Sequence, residues 1–298
     1  MINNIQNILL QAEEQLYQAQ INQTDKDRLT IKLDASILLA HVLSKPRSYL
    51  LTWPDKLLSI GQIAMFHALI KKRCLGEPVA YITGQKEFFS LIFNVNKSTL
   101  IPRPETELLI ETILARFKDK TEDKLTILDL GTGSGAIAIS LAKSRPNWQI
   151  TAVDNSHSAL EIAKKNAKLH EINNINFVFS DWFSNVDSEL KFDCIVANPP
   201  YISSDDPHLE QGDVKFEPRS ALISQDNGLA DIKLILNQAG LYLAPNGLLI
   251  FEHGYDQLSE IQKLINLTDS LGQYWGQPKS ILDYAGLPRV ILVQKRQV

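Results

Sequence analysis

The residues that most directly suggest chemistry form the tetrapeptide Asn198-Pro199-Pro200-Tyr201, which follows the apolar run 194–197. Proline cannot donate to a strand ladder, so a buried strand should end at this point. Open α/β sheets bind ligands at the carboxyl ends of their strands, which is where the tetrapeptide would lie. Each proline also favours extended backbone in the residue before it, so we expect a stiff loop at a ligand-binding edge.

This loop can present two acceptors, the side-chain oxygen of Asn198 and the carbonyl oxygen of Pro199, to one planar NH2 group. The ring of Tyr201 can cover the flat face of that group. An NH2 conjugated to a π system, in an amide or a nucleobase, is a poor nucleophile because its lone pair is delocalised. Accepting both protons while the reaction partner is held in line would offset part of this cost without a strong base.

We therefore predict catalytic roles for Asn198, Pro199 and Tyr201, with Pro200 joining them in substrate binding. The alternative is a simple turn, which Asn-Pro commonly opens.

A glycine-rich loop follows an earlier apolar run and precedes a helical pattern. Its predicted cofactor-binding residues are Gly131, Thr132, Gly133, Ser134 and Gly135. Glycines let the backbone turn sharply and approach a ligand, and the helix that follows offers unpaired N–H groups. The spacing also fits the dinucleotide fingerprint, so a nicotinamide or flavin cofactor, or a turn without a ligand, is an alternative here.

Two further strand ends carry residues suited to an adenosine cofactor. Asp154 can accept hydrogen bonds from both ribose hydroxyls, although it could instead cap the helix that follows. Asp181 can accept from the adenine amino group, and the Trp182 indole can cover a ring face, unless it is a plain core residue. Asn198 should also lie beside the cofactor.

A scaffold must hold these loops in place. After Ile101 the sequence alternates between strand and helix patterns, which predict that scaffold. Predicted strands occupy 125–130, 149–154, 175–181, 192–198 and 248–252. Alternation of this kind predicts a parallel sheet with helices on both faces. The runs 281–284 and 290–293 are joined by a tight turn, so an antiparallel edge strand is expected.

Residues 1–78 have a different pattern, with apolar residues at helical spacing in 5–16 and 35–42. We expect a helical bundle there, whose last helix starts near Ser59, and a β-hairpin linker over 79–100. Residues 101–298 would form the catalytic domain. A chain of 298 residues is long enough for two domains.

Composition narrows the classes of function. The net charge of −4 argues against affinity that comes mainly from nucleic-acid phosphates. With no apolar run near 20 residues and no signal-peptide pattern, we expect a cytoplasmic protein. Cys74 and Cys194 lie far apart without metal-ligand neighbours, so neither a disulfide framework nor a metal site is expected.

Some further residues have plain interpretations. Arg103 and Glu105 could form a catalytic pair, but a proline followed by acids is typical of a helix start, which we favour. For His253 we expect a core or surface role. The aperiodic segment 202–227 is long enough to be a lid or substrate loop.

With these motifs in order, the chain resembles the class I methyltransferases, and more closely the release factor glutamine methyltransferase family, also called HemK or PrmC. The resemblance covers essentially the whole chain. The segments that carry it are 76–84, 88–89, 101–107, the glycine loop, 181–183, 198–201 and 212–218.

The resemblance implies a doubly wound, mostly parallel sheet with an antiparallel edge strand, preceded by a small helical-bundle domain that contacts the release factor. It implies that S-adenosyl-L-methionine, held by Gly131 to Gly135, Asp154 and Trp182, methylates N5 of the glutamine in the Gly-Gly-Gln motif of release factors 1 and 2. Asn198 to Tyr201 would hold the glutamine. We expect a monomer with no metal, membrane or stable nucleic-acid partner.

Three other functions are weighed against this one. A methyltransferase for adenine N6 or guanine N2 would need the same acceptors and a flipped base, although the acidic balance disfavours it. A nucleotide-binding oxidoreductase has no evident use for paired acceptors beside a stacking tyrosine. A non-catalytic binding module would keep its function without Asn198.

Overall fold

The computed structural model of the protein describes residues 3–19, 28–269 and 274–297. Residues 1, 2 and 20–27 of the predicted helical domain therefore lie outside the described residues. The chain divides into two compact units. The helical unit is Met1–Gln85 with Glu210–Phe216, and the sheet unit is Lys86–Leu209 with Glu217–Val298.

The helical unit contains α1 (Ile5–Ala19), α2 (Arg28–Leu43), α3 (Arg47–Thr52), α4 (Ile60–Cys74) and α5 (Val79–Thr83). Its apolar core takes residues from the predicted helical faces, among them Ile5, Ile8, Ala12, Leu16, Ala35, Leu38 and Leu39. The predicted start of the last long helix is confirmed. The Ser59 side chain accepts from the Gln62 N–H, and the Gln62 side chain accepts from the Ser59 N–H, which is a capping box.

The extended conformation that we expected from residue 79 is wrong for Val79–Thr83, which forms a short helix. Pro78 has the fixed φ that suits a helix start, and Gly84 ends the helix at φ +72°. Val79 and Ile82, three residues apart, both pack on the helical core. The hairpin is shorter than predicted, with β1 at Gln85–Phe88 and β2 at Leu91–Asn94.

The sheet unit is built on a seven-stranded sheet of order β5-β4-β3-β6-β7-β9-β8. Its strands are β3 (Thr126–Leu130), β4 (Gln149–Asp154), β5 (Ile175–Phe179), β6 (Phe192–Ala197), β7 (Leu243–Glu252), β8 (Lys279–Leu282) and β9 (Pro288–Gln294). The predicted mostly parallel sheet is confirmed, since β3 to β7 pair in parallel. The reversed strand β9 pairs antiparallel with β7 and β8, so it lies one position inside the edge.

Helices cover both faces of this sheet, as expected. One apolar cluster contains residues of α6 (Glu107–Arg116), α7 (Ala136–Ser144) and α8 (His157–Leu169). The other contains residues of α9 (Ala230–Tyr242) and α10 (Leu258–Thr268). Alternate strand residues such as Ile127 and Leu128 belong to opposite clusters. Within the described ranges, no helix is both long and apolar enough to cross a bilayer.

Strand order decides where a ligand can bind. From β3 the chain moves outward to β4 and β5, then returns to place β6 on the other side of β3. Leu130, the last residue of β3, is paired with Ala197, the last residue of β6. The glycine loop and the Asn-Pro-Pro-Tyr loop therefore leave adjacent strands at one edge, the topological switch point of the sheet.

Candidate active site

A cavity of about 390 Å³ lies at this switch point. The predicted residues that line it are Gly131, Thr132, Gly133, Ser134, Asp154, Asp181, Trp182, Asn198 and Pro200. Gly135, Pro199 and Tyr201 are not among the lining residues. The wall also contains residues that were not predicted individually as site residues, among them 97–100, Asn155, Ser156, Ser158, Ala159, Pro218, Ser220 and Ala221.

The glycine loop is held by hydrogen bonds. Gly131 and Gly133 have φ values of +69° and +56°, a region that glycine enters at no steric cost. The Thr132 N–H donates to the Val153 carbonyl at 2.8 Å, and the Thr132 hydroxyl donates to Asp129 Oδ2 at 2.7 Å. The loop is thus fixed to the ends of β3 and β4.

Gly135 has a packing role that explains its absence from the wall. A methyl group at this position would lie 2.8 Å from the Ile139 side chain and 3.2 Å from the Ala163 Cβ. Its φ of +82° also favours glycine. Gly135 therefore lets the start of α7 approach α8 closely, and its contact with a cofactor stays a prediction.

Asp129 is completely buried beneath the glycine loop. Burial raises the pKa of its carboxyl to about 7, and the hydrogen bond from Thr132 opposes that rise. An unfolded aspartate has a pKa of about 3.9. Because the folded pKa is the higher one, the contribution of Asp129 to stability is complete below pH ~4 and is lost as the pH rises to about 7.

We expect Asp129→Asn to flatten the pH dependence of stability. In the wild type, this group should lower the free energy of unfolding by up to about 4 kcal/mol between pH ~4 and ~8. Urea unfolding at a series of pH values measures the difference between the two proteins. Asp119→Asn, at an exposed carboxylate, is the matched control. Equal pH slopes for wild type and Asp129→Asn would contradict the assignment.

Asp154 joins the loop to β4. Its Oδ2 accepts from the Gly133 N–H at 2.8 Å, and its Oδ1 accepts from the Ser156 N–H at 2.9 Å. Burial raises the pKa of Asp154, and these backbone hydrogen bonds oppose the rise. The helix cap is Ser156, whose hydroxyl accepts from the Ala159 N–H, so the capping alternative for Asp154 is wrong. Each carboxylate oxygen keeps a second lone pair for a ligand.

Trp182 has an unusual backbone and a fixed ring. Its φ is +48°, and the hydroxyl of Ser180 donates to its carbonyl at 2.8 Å. The indole Nε1 donates to Asp231 Oδ1 at 3.1 Å, and the ring lies against Gly131. Ser180 and Asp231 are site residues that the sequence did not reveal. Together these contacts hold the indole beside the glycine loop at the cavity wall.

A chain of hydrogen bonds runs through Asn198. Its Nδ2 donates to Thr106 Oγ1 at 3.1 Å, and the Thr106 hydroxyl donates to Glu252 Oε2 at 2.7 Å. The Tyr201 hydroxyl donates to Glu252 Oε1 at 3.0 Å. Thr106 and Glu252 were also missed. With its NH2 committed to Thr106, the Asn198 carboxamide presents Oδ1 as an acceptor.

Electrostatics keep Tyr201 a donor in this chain. Burial and the neighbouring Glu252 carboxylate raise the pKa of the Tyr201 hydroxyl, which therefore stays protonated. Burial also raises the pKa of Glu252, while the hydrogen bonds from Thr106 and Tyr201 and the charge of Arg289 oppose the rise.

The backbone after the motif is clamped as well. Gln257 Nε2 donates to the Tyr201 carbonyl at 3.0 Å and to the Asn227 carbonyl at 3.3 Å. Gln257 Oε1 accepts from the Gly254 N–H at 2.9 Å. Gly228, at φ +83°, passes so close that a methyl group there would lie 2.1 Å from the Tyr201 carbonyl oxygen.

The other residues that were weighed as catalytic candidates, Arg103 and His253, have structural partners. Arg103 forms an ion pair with buried Glu217 instead of Glu105, and Glu217 also accepts from the Ile101 N–H. His253 is buried, with Nδ1 2.7 Å from the Gly254 carbonyl oxygen, as the expected core role requires.

The segment 202–227 is divided between several environments. Residues 210–216 belong to the helical unit, where Asp213 pairs with Arg73 at 2.8 Å. Arg73 also pairs with Asp34 at 2.8 Å. Pro218, Ser220 and Ala221 line the cavity in the sheet unit. Across 3–19, 28–269 and 274–297, no group of three or more His, Cys, Asp or Glu side chains could hold a metal ion.

Comparison with solved structures agrees with the fold. The catalytic domain of hMettl16, in complex with MAT2A 3′UTR hairpin 1, has a TM-score of 0.55 at 16% identity, covering 86% of this chain and 90% of that chain. A methyltransferase from Pyrococcus furiosus has a TM-score of 0.50 at 19% identity, covering 78% and 98%.

Comparison with sequence families is more specific. A family model described as methyltransferase domain matches residues 121–286, and the PrmC N-terminal domain matches residues 7–84. The release factor glutamine methyltransferase of Vibrio cholerae is 49% identical over 265 residues, which cover 88% of this chain and 89% of that protein. The Coxiella burnetii protein of the same name is 44% identical, covering 89% and 92%. The chain belongs to the release factor glutamine methyltransferase family.

Proposed function

We propose that this protein transfers a methyl group from S-adenosyl-L-methionine to N5 of the glutamine in the Gly-Gly-Gln motif of release factors 1 and 2. The observation that carries the proposal is the fixed carboxamide of Asn198, whose oxygen is an acceptor at the wall that the glycine loop also lines. Family membership supports the same reaction and substrate.

The cavity fits the proposed cofactor. Its volume of about 390 Å³ is within the usual range of small-molecule sites, about 300–1,000 Å³. Asp154 offers carboxylate lone pairs to ribose hydroxyls, the Trp182 indole suits an adenine face, and Asp181 at the wall suits its amino group. S-adenosyl-L-methionine supplies a methyl group bound to a positively charged sulfur. An adenosine fit alone would also suit a nicotinamide dinucleotide, and the methyltransferase family match is what disfavours that alternative.

The residues of the Asn-Pro-Pro-Tyr loop do the remaining work. Asn198 Oδ1 and the Pro199 carbonyl accept the two protons of the glutamine NH2, which raises electron density on nitrogen and fixes its direction. The Tyr201 hydroxyl is held by Glu252, and in this proposal its ring, which does not line the cavity itself, covers the carboxamide plane of the bound glutamine. When bound, the cofactor would supply the methyl group to the nitrogen lone pair and would keep the S–C electron pair on sulfur, and the displaced proton would pass to water. The proposed reaction uses no strong base and no metal.

The nucleic-acid alternative uses the same acceptors, but the family and the net charge of −4 disfavour it. A labelled-methyl transfer assay should compare purified release factor, its Gly-Gly-Ala variant, DNA and RNA. We expect label only in the release factor with intact Gly-Gly-Gln. Label in nucleic acid and none in the release factor would refute the proposal. The monomeric state, cytoplasmic location and absence of a stable nucleic-acid partner stay predictions.

The role of Trp182 gives a binding prediction. Trp182→Ala should raise the Kd for S-adenosyl-L-homocysteine roughly 5- to 150-fold, because base stacking on an aromatic ring is worth about 1–3 kcal/mol. Titration calorimetry measures this Kd. Trp53→Ala, at an exposed tryptophan of the helical unit, is the control and should leave it unchanged. An unchanged Kd for Trp182→Ala would remove the indole from the cofactor site.

A further inference from the structure

The orientation of the Asn198 carboxamide depends on residues outside the motif. Thr106 and Glu252 are both buried, with 4% and 1% of their surfaces exposed. They are 146 positions apart in the sequence, yet the Thr106 hydroxyl and Glu252 Oε2 lie 2.7 Å apart. Asn198 Nδ2 donates to Thr106 Oγ1, so Asn198 is joined to Glu252 through Thr106.

The direction of this chain follows from proton counting. An ionised carboxylate only accepts hydrogen bonds, and a hydroxyl has one proton to donate. Glu252 therefore takes the proton of Thr106, and Thr106 Oγ1 is left with lone pairs toward Asn198. Asn198 must then turn its NH2 to Thr106. If the carboxamide were turned the other way, Asn198 Oδ1 would face Thr106 Oγ1. Both atoms would then be acceptors, and a buried hydrogen bond would be lost.

The second oxygen of Glu252 constrains the other end of the motif. It accepts from the Tyr201 hydroxyl at 3.0 Å, so one carboxylate holds Tyr201 directly and Asn198 through Thr106. Burial raises the pKa of Glu252, and the hydrogen bonds from Thr106 and Tyr201 and the charge of Arg289 oppose that rise. The direction of the hydrogen bonds rests on geometry, because both Glu252 oxygens accept from hydroxyl groups and neither donates to Thr106.

We infer that Glu252 is a positioning residue for methyl transfer, which acts through the Thr106 hydroxyl to make Asn198 present its oxygen, and not its NH2, to the substrate. The inference rests on the proposed function. It assigns selectivity for a carboxamide over a carboxylate to this chain of hydrogen bonds. A glutamine NH2 donates to Asn198 Oδ1, whereas a glutamate side chain, which has no proton to donate, is repelled by that oxygen.

The test compares Thr106→Val with Thr106→Ser. Valine has a similar shape but no hydroxyl, so Asn198 is released and can turn its NH2 toward the ligand. Serine keeps the hydroxyl and should preserve the chain. We expect Thr106→Val to lower kcat for release factor methylation about 10- to 100-fold, since small misplacements of reacting groups cost that much. Thr106→Ser should stay within about threefold of the wild type.

A second readout separates positioning from general stability. Gly-Gly-Gln and Gly-Gly-Glu peptides compete with the release factor, and the ratio of their inhibition constants reports the orientation of Asn198. We expect the wild type and Thr106→Ser to prefer the glutamine peptide. In Thr106→Val, the ratio of the two inhibition constants should show a preference that is about tenfold weaker. Thr106→Val should have a lower melting temperature, because it leaves buried Glu252 Oε2 without the Thr106 donor, but the Kd for S-adenosyl-L-homocysteine should be alike in all three proteins.

Glu252→Gln provides an independent variant. Its amide must donate at one end, either to Thr106 or to Tyr201, so one of the two hydrogen bonds from these hydroxyls is replaced. We expect a loss of kcat and of peptide preference in the same direction as in Thr106→Val.

The possible results distinguish a failure of this inference from a failure of the proposed function. Wild-type kcat and wild-type peptide preference in both Thr106→Val and Glu252→Gln would overturn the inference. Equal losses in Thr106→Ser and Thr106→Val would also overturn it, because the hydroxyl would then be irrelevant. A wild-type protein that methylates no release factor would instead refute the proposed function itself.

Discussion

Asn198→Ala should lower kcat for release factor methylation about 10²- to 10³-fold, while the Kd for S-adenosyl-L-homocysteine changes less than about threefold. The variant loses the acceptor that Thr106 holds in place, but it keeps the glycine loop, Asp154 and Trp182. Single-turnover methyl transfer measures the chemical step, and titration calorimetry measures cofactor binding.

Asn176→Ala is the matched control for this variant, because Asn176 is an exposed asparagine on β5. It should behave as the wild type in both measurements. Unchanged turnover in Asn198→Ala would refute the role given to Asn198 and would favour a binding module. A large loss of cofactor affinity would mean that Asn198 acts mainly on the cofactor.

Gly228→Ala should lower the free energy of unfolding by about 2–4 kcal/mol. The added methyl would lie 2.1 Å from the Tyr201 carbonyl oxygen and 2.7 Å from Gln257 Nε2, and φ is +83°. Backbone must move, so the Asn-Pro-Pro-Tyr loop should shift and kcat should fall as well. Urea unfolding and steady-state methylation measure the two effects.

Gly286→Ala separates backbone strain from the steric contact. Gly286 has a similar φ of +81°, but a methyl group there meets nothing within 4 Å. This control should lose only about 1–2 kcal/mol, the cost of the left-handed conformation, and should keep its activity. If Gly228→Ala is no less stable and no less active than Gly286→Ala, the turn at Gly228 does not support the Asn-Pro-Pro-Tyr loop.

Features whose cause is local could be predicted from the sequence. Gly131 and Gly133 sit in a loop that needs positive φ, and two prolines end β6 beside Asn198. The strand bounds agree to within a few residues for β4 and β6, because each is a short apolar run between turn residues. The parallel sheet then placed both loops at one edge.

Features that depend on distant contacts were missed. Thr106 is 92 positions from Asn198, and Gln257 is 56 positions from Tyr201, so no local pattern joins these partners. Val79–Thr83 was misassigned because its β-branched and aromatic residues favour a strand, while packing on the helical core favours a helix. The close packing of Gly135 against α8 was also missed, because its motif suggested only a cofactor contact, which stays a prediction.

A structure of the protein with S-adenosyl-L-homocysteine and a Gly-Gly-Gln peptide tests the central proposal most directly. We predict that the glutamine NH2 lies about 3 Å from both Asn198 Oδ1 and the Pro199 carbonyl oxygen, and that the cofactor sulfur faces the nitrogen from one side of the carboxamide plane. A peptide carboxamide bound away from these oxygens, or an Asn198 that presents its NH2 to the peptide, would contradict it.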